Sequence, residues 1–121
     1  MFKKATGKVE SPGMLYKHYA PKTECVLVDF EKISEIAGKY QNPIIIGSSK
    51  VKDIKCFSFL NYGDDLKSIS HNVFHLLRDA DKLNGDIIII EATKREGLGL
   101  AIMNRMIRTC SYHYIRNNED N

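Results

Sequence analysis

The residues of this 121-residue chain that could do chemistry are scattered rather than gathered. His71 and His75 stand four apart, the spacing that sets two imidazoles on one helix face as zinc ligands. The glutamate of H-E-x-x-H is missing, and both histidines point away from the apolar stripe of their helix, so a solvated polar face accounts for them and no metal is assigned. Gly97-Leu98-Gly99 lies between a strand-like and a helix-like run, where a dinucleotide loop would sit. The third glycine of G-x-G-x-x-G is absent and residues 91–96 separate the pair from the strand. Glycines that allow a close helix start explain the pair, while the helix N-terminus stays open as a site for an anion. Asn104, Arg105 and Arg108 line the polar side of the last helix, and Arg78 does the same on the helix before it. Gly97, Gly99, Asn104 and Arg105 are therefore the candidate anion or partner surface, with ordinary solvated surface as the alternative. Ser34, Ser48 and Ser70 have no His–Asp partners that the sequence suggests, and G-x-S-x-G is absent. Asp64-Asp65 sits where a helix cap needs acid groups. No Walker A sequence is present, and no catalytic residue is assigned.

Composition narrows the classes further. Hydrophobic residues make up 43% and charged residues 27%, the balance of a globular fold of one domain. The formal net charge of +3 is mild and forms no block, which argues only weakly for nucleic acid. Three cysteines, Cys25, Cys56 and Cys110, are widely spaced with no C-x-x-C, so buried free thiols in a reducing compartment are expected rather than a disulfide frame or a zinc ribbon. Residues 1–10 are polar and lysine-rich, read as a poorly ordered tail without a signal-peptide apolar core, and no run approaches the ~20 apolar residues of a membrane span. A cytoplasmic location without membrane contact is the resulting expectation.

The elements that must position these residues alternate. Apolar runs at 24–30, 44–46, 54–60 and 87–90 read as strands, with a short one expected at 112–115. Helical periodicity places helices over 30–41, capped by Asp29, over 66–83, ended by Asn84-Gly85, and over 97–110. The connection 48–53 is too short for a full crossover helix. Strands that are continuously apolar rather than alternating are covered on both faces. The pattern predicts an α/β fold, a three-layer α/β/α Rossmann-like domain with a mostly parallel sheet, over residues 23–121, preceded at 1–22 by a tail and an arm.

That arm is SPGMLYKHYAP, residues 11–21. Pro12 and Pro21 fix φ, Gly13 permits a tight turn, and Met14, Tyr16, His18 and Tyr19 crowd together groups that need a surface to lie on. The arm either packs on its own domain or reaches over another. Its pattern resembles the interdomain linker of the Sua5 family, the two-domain L-threonylcarbamoyladenylate synthases. Residues 72–92 (NVFHLLRDADKLNGDIIIIEA) and 97–108 (GLGLAIMNRMIR) are similar to the two best-marked segments of that family's C-terminal domain. Leu15 departs from the family, whose linker often has Lys or Arg there.

The resemblance implies an enzyme that joins ATP, L-threonine and bicarbonate into threonylcarbamoyl-adenylate, releases pyrophosphate, and supplies the N6-threonylcarbamoyl modification of tRNA adenosine. It implies that the chemistry belongs to an N-terminal YrdC-like domain acting in cis, with ATP and a divalent metal ion as that domain's cofactor candidates and none in this stretch. Met1 would then mark a boundary rather than a natural start. Ser11, Pro12, Gly13, Met14, Tyr16, His18, Tyr19 and Pro21 would be the linker that covers the active site. The domain itself would gate that site, be inactive alone, self-associate through the arm, and meet tRNA only indirectly. The alternative is a stand-alone α/β module that binds a partner or a small ligand.

Overall fold

The computed structural model describes residues 21–117; the lysine-rich tail and the arm residues Ser11, Pro12, Gly13, Met14, Tyr16, His18 and Tyr19 lie outside the described residues. The elements in order are β1 (Cys25–Val28), α1 (Ile33–Ala37), β2 (Pro43–Gly47), β3 (Ser58–Asn61), α2 (Leu66–Asp81), β4 (Ile87–Glu91), α3 (Leu98–Thr109) and β5 (Tyr114–Ile115), with single 3-10 turns at Phe30–Lys32 and Ser49–Val51. The five strands form one sheet in the order β3-β2-β4-β1-β5, and every pairing is parallel.

The run of isoleucines in β4 explains the centre of this sheet. Ile88 pairs with Cys25 on one side and Ile44 on the other, and all five residues of β4 are buried. Successive side chains alternate between faces. Cys25, Leu27, Ile44, Ile46, Ile88 and Ile90 meet the apolar stripes of α2 and α3, chiefly Val73, Leu77, Met103 and Met106. Val26, Val28, Ile45, Ile87 and Ile89 meet Ile33, Ile36 and Ala37 of α1 and Val51. Two cores, one on each face, make the three layers expected from the sequence.

Several boundaries differ from the periodicity, each for a local reason. The expected helix over 30–41 shrinks to α1 because the Asp86 carboxylate takes the backbone N–H groups of Gln41 and Asn42 at 3.0 and 3.1 Å, turning the chain toward Pro43. Asp29 does not cap it with its side chain, since its carboxylate instead accepts from the Tyr114 hydroxyl and the Asn117 N–H. Phe30, expected in the apolar stripe, is 40% exposed. The third strand starts at Ser58 rather than 54, because Ile44 pairs with Ser58 and the chain must first travel back along the full length of β2. A single 3-10 turn serves that return. Helix α2 stops at Asp81, leaving Leu83 exposed and Asn84 at φ 60°. The last strand starts at Tyr114, since Ser111 and Tyr112 form a left-handed turn with φ 55° and 66°.

Candidate functional site

In open parallel sheets, ligand crevices form at the carboxyl ends of adjacent strands whose following connections leave in opposite directions. Strands β2 and β4 are such a pair. From β2 the chain runs outward to the edge strand β3, while from β4 it crosses β1 to reach β5. A cleft of about 540 Å³ lies at these strand ends.

Its walls follow from the sequence around each strand end. Strand β2 ends in Gly47, where a Cβ would stand 2.6 Å from the Val51 side chain and 3.0 Å from Glu91 Oε1, so only glycine lets the 3-10 turn fold back over the strand. That turn presents Ser48, Ser49 and Lys50 to the cleft. Strand β4 ends in Glu91, which is 2% exposed. Glu91 Oε1 accepts from the Ser48 N–H and the Ser48 hydroxyl, both at 2.8 Å, and Lys50 Nζ stands 3.5 Å from Oε2. The same ammonium sits 4.7 Å over the Phe30 ring. Tyr62, 1% exposed, forms the floor and donates its hydroxyl to the Glu91 carbonyl at 2.7 Å. Burial, aided by the Glu91 charge, pushes the Tyr62 phenol well above its ordinary range, so it remains a donor. At the mouth, Asp64 accepts from the Ser49 N–H and hydroxyl at 2.8 and 2.9 Å, bonds that hold its carboxyl below the usual range. Asp65 caps α2 by accepting from the Ser68 N–H. A buried carboxylate with one oxygen satisfied and the other shared only with a flexible lysine can hold a hydrogen-bond donor or a cationic group in the cleft.

The opposite end of the sheet carries the root of the arm. Asp81, at the end of α2, is 6% exposed and accepts from the N–H groups of Lys22 and Thr23 at 3.1 and 2.9 Å. Pro21, the one arm residue within the described span, lies beside this clamp and lines a small cavity next to Cys25 and Cys110.

The residues singled out from the sequence are placed separately. Gly97 precedes α3 with φ 57°, a backbone conformation that favours glycine, and nothing lies within 4 Å of where its Cβ would be. Gly99 is required by packing, for a Cβ there would fall 2.1 Å from the Lys94 carbonyl oxygen. The Gly99 and Leu100 amides bond to the Glu96 and Gly97 carbonyls at 3.0 Å. Arg105 lays its guanidinium 3.9 Å over the Phe74 ring, joining α3 to α2, and Asn104 is exposed beside it. None of these four lines the cleft. His75 interacts with Asn72 and Asp79, and among the described residues no three His, Cys, Asp or Glu side chains cluster as metal ligands. No helix among them is long and apolar enough to cross a membrane. Glu91, Ser48 and Tyr62 escaped the sequence reading as site residues. The available signal was an acid closing a continuously apolar strand, which is where a parallel sheet opens its crevice.

The fold is an all-parallel α/β domain with a cleft at its strand ends. Comparison with known proteins narrows this: the chain belongs to the family described as threonylcarbamoyl-AMP synthase, C-terminal domain, which it matches over residues 2–111. It is 32% identical over 126 residues to the threonylcarbamoyl-AMP synthase of Pyrococcus abyssi, covering 96% of this chain and 36% of that protein. It is 32% identical over 120 residues to the synthase of Schizosaccharomyces pombe, covering 84% and 29%. The solved P. abyssi Sua5 in complex with L-threonine superposes with a TM-score of 0.77 at 31% identity, over 95% of this chain and 36% of that one. The C-terminal Sua5 domain of a Pyrococcus horikoshii protein superposes at 0.64 and 27% identity, over 81% of this chain and 100% of that one. The chain thus spans about a third of the length of the curated relatives it matches.

Proposed function

We propose that this chain is the accessory domain of a threonylcarbamoyl-AMP synthase, gating a YrdC-like catalytic domain in cis while that domain forms L-threonylcarbamoyladenylate from ATP, L-threonine and bicarbonate for tRNA modification. The observation that carries the reading is the clamp of Asp81 on the amides of Lys22 and Thr23. The clamp fixes the arm's root, and an arm that leaves the domain from a fixed point spends less entropy when it closes over a pocket. Closure matters for this chemistry because a carbamate and an acyl-adenylate are both lost to water. A solved form of P. abyssi Sua5 in which an adjacent histidine and tyrosine are both alanine supports attention to such a pair, and this chain carries one at His18-Tyr19.

The test is pyrophosphate release by the full-length synthase with Tyr16, His18 and Tyr19 replaced by Ala, and separately with Asp81→Asn. Slowed adenylate formation in both is expected. An unchanged rate in both would reduce the arm to a tether. The isolated chain should release no pyrophosphate above a protein-free control.

The buried Glu91 at the strand-end cleft favours a second reading, a module that binds a small ligand. Thermal-shift screening of amino acids and nucleotides against the chain and its Glu91→Gln variant separates the two. A shift lost in Glu91→Gln supports ligand binding, and the absence of any shift leaves gating alone.

A further inference from the structure

We propose that Cys25 and Cys110 are a modification site, a thiol pair that a hydroperoxide converts into an intramolecular disulfide joining the start of β1 to the end of α3. The two Sγ atoms are 2.9 Å apart. That is closer than the ~3.5–4.0 Å of ordinary non-bonded carbon contacts and within about 1 Å of a bonded pair. Both residues are free and buried, at 5% and 2% exposure, on elements fixed by the core, so small side-chain adjustments suffice to close the bond. A cavity of about 120 Å³ is lined by both cysteines together with Pro21 and Thr23, room for a small oxidant. Cys56 lies elsewhere, lining a different cavity with Phe57, and serves as an internal control.

Either thiol can donate across this contact, so either sulfur can attack first, here that of Cys110. That sulfur displaces water from hydrogen peroxide: the O–O bond breaks, an S–O bond forms, and the thiol proton leaves with the departing hydroxide. The Cys25 sulfur then attacks the sulfenic sulfur, the S–O bond breaks, the S–S bond forms, and the Cys25 proton departs with hydroxide as a second water. Two thiols lose two electrons and the peroxide gains them. Burial slows the first step, so the product is read at completion rather than by rate. The bridge spans 85 residues of sequence and would fix the strand that the arm enters next to its clamp on Asp81.

The experiment treats the purified chain with hydrogen peroxide, quenches it in denaturant with an alkylating reagent, and maps the peptides. A cross-linked peptide pair containing Cys25 and Cys110 is expected, with a rise in melting temperature on the order of 10 °C for so long a closed loop that dithiothreitol reverses. Cys56→Ala should keep the rise and Cys110→Ala should lose it. Should Cys110→Ala fail to fold, the wild-type peptide map decides. Full alkylation of both Cys25 and Cys110 after treatment, or cross-linking only between chains through Cys56, overturns the proposal.

Discussion

Two buried carboxylates stand at opposite ends of the same sheet. Asp81, at the amino end, and Glu91, at the carboxyl end, each accept backbone N–H groups from a loop far away in sequence. At Asp81 both oxygens are used on Lys22 and Thr23, so the acid ties chain to chain. At Glu91 one oxygen takes both Ser48 donors, while the other is shared with Lys50, whose side chain is 65% exposed, and a cleft of about 540 Å³ opens beside it. The difference teaches where each end does its work. Parallel strands all point their carboxyl ends one way, and the loops that diverge there leave space. The helices run antiparallel to the strands, so their C-termini gather at the other end, where an acid is electrostatically unwelcome unless it holds something.

The strongest way to break this comparison is to remove the core that holds both ends apart. Leu77 is fully buried between α2 and the sheet. Leu77→Ala should cost about 2–5 kcal/mol in chemical denaturation, and a loss under about 0.5 kcal/mol, the usual surface effect, would mean the two ends are coupled by something other than this layer.

Substituting the two acids sharpens the contrast. Each substitution removes charged hydrogen bonds worth about 1.5–3 kcal/mol. Glu91→Ala should destabilise toward the upper end of that range, because Ser48 is buried and loses its acceptor. Asp81→Ala should fall toward the lower end, because Lys22 is exposed and water replaces the carboxylate. Amide hydrogen exchange distinguishes them further: Lys22 and Thr23 should lose protection in Asp81→Ala and keep it in Glu91→Ala. Loss at both sites in either variant would show one cooperative unit rather than two ends.

The smallest effect is expected from pH at the sheet's edge. Tyr114 in β5, partly buried and bonded to Asp29, has its phenol pushed up to about 12 by desolvation first and that bond second. An unfolded tyrosine ionises near ~10. Between these values the unfolded chain binds fewer protons than the native one, so this contribution to stability is whole below pH ~10 and is lost as the pH rises toward 12. Partial exposure keeps it modest. Urea denaturation across that window should show a shallower decline in Tyr114→Phe than in the parent chain. Equal slopes would remove Tyr114 from the account.

What the sequence determined alone was the layering. Four isoleucines in a row leave no polar face, so β4 had to be covered on both sides, and the stripe through Val73 and Leu77 had to face the sheet. Strand order, the cleft and the thiol pair were decided only in three dimensions. Nothing local tells Glu91 that Ser48 will arrive 43 residues away in sequence to share its oxygen, or tells Asp29 that Tyr114 will take the carboxylate a helix cap would have used. Cys25 and Cys110 look like isolated thiols until β1 and α3 bring them together across 85 residues. Local periodicity reports which face of an element is apolar, but the partner of a buried polar group is chosen by how the layers stack, and stacking is a property of the whole chain.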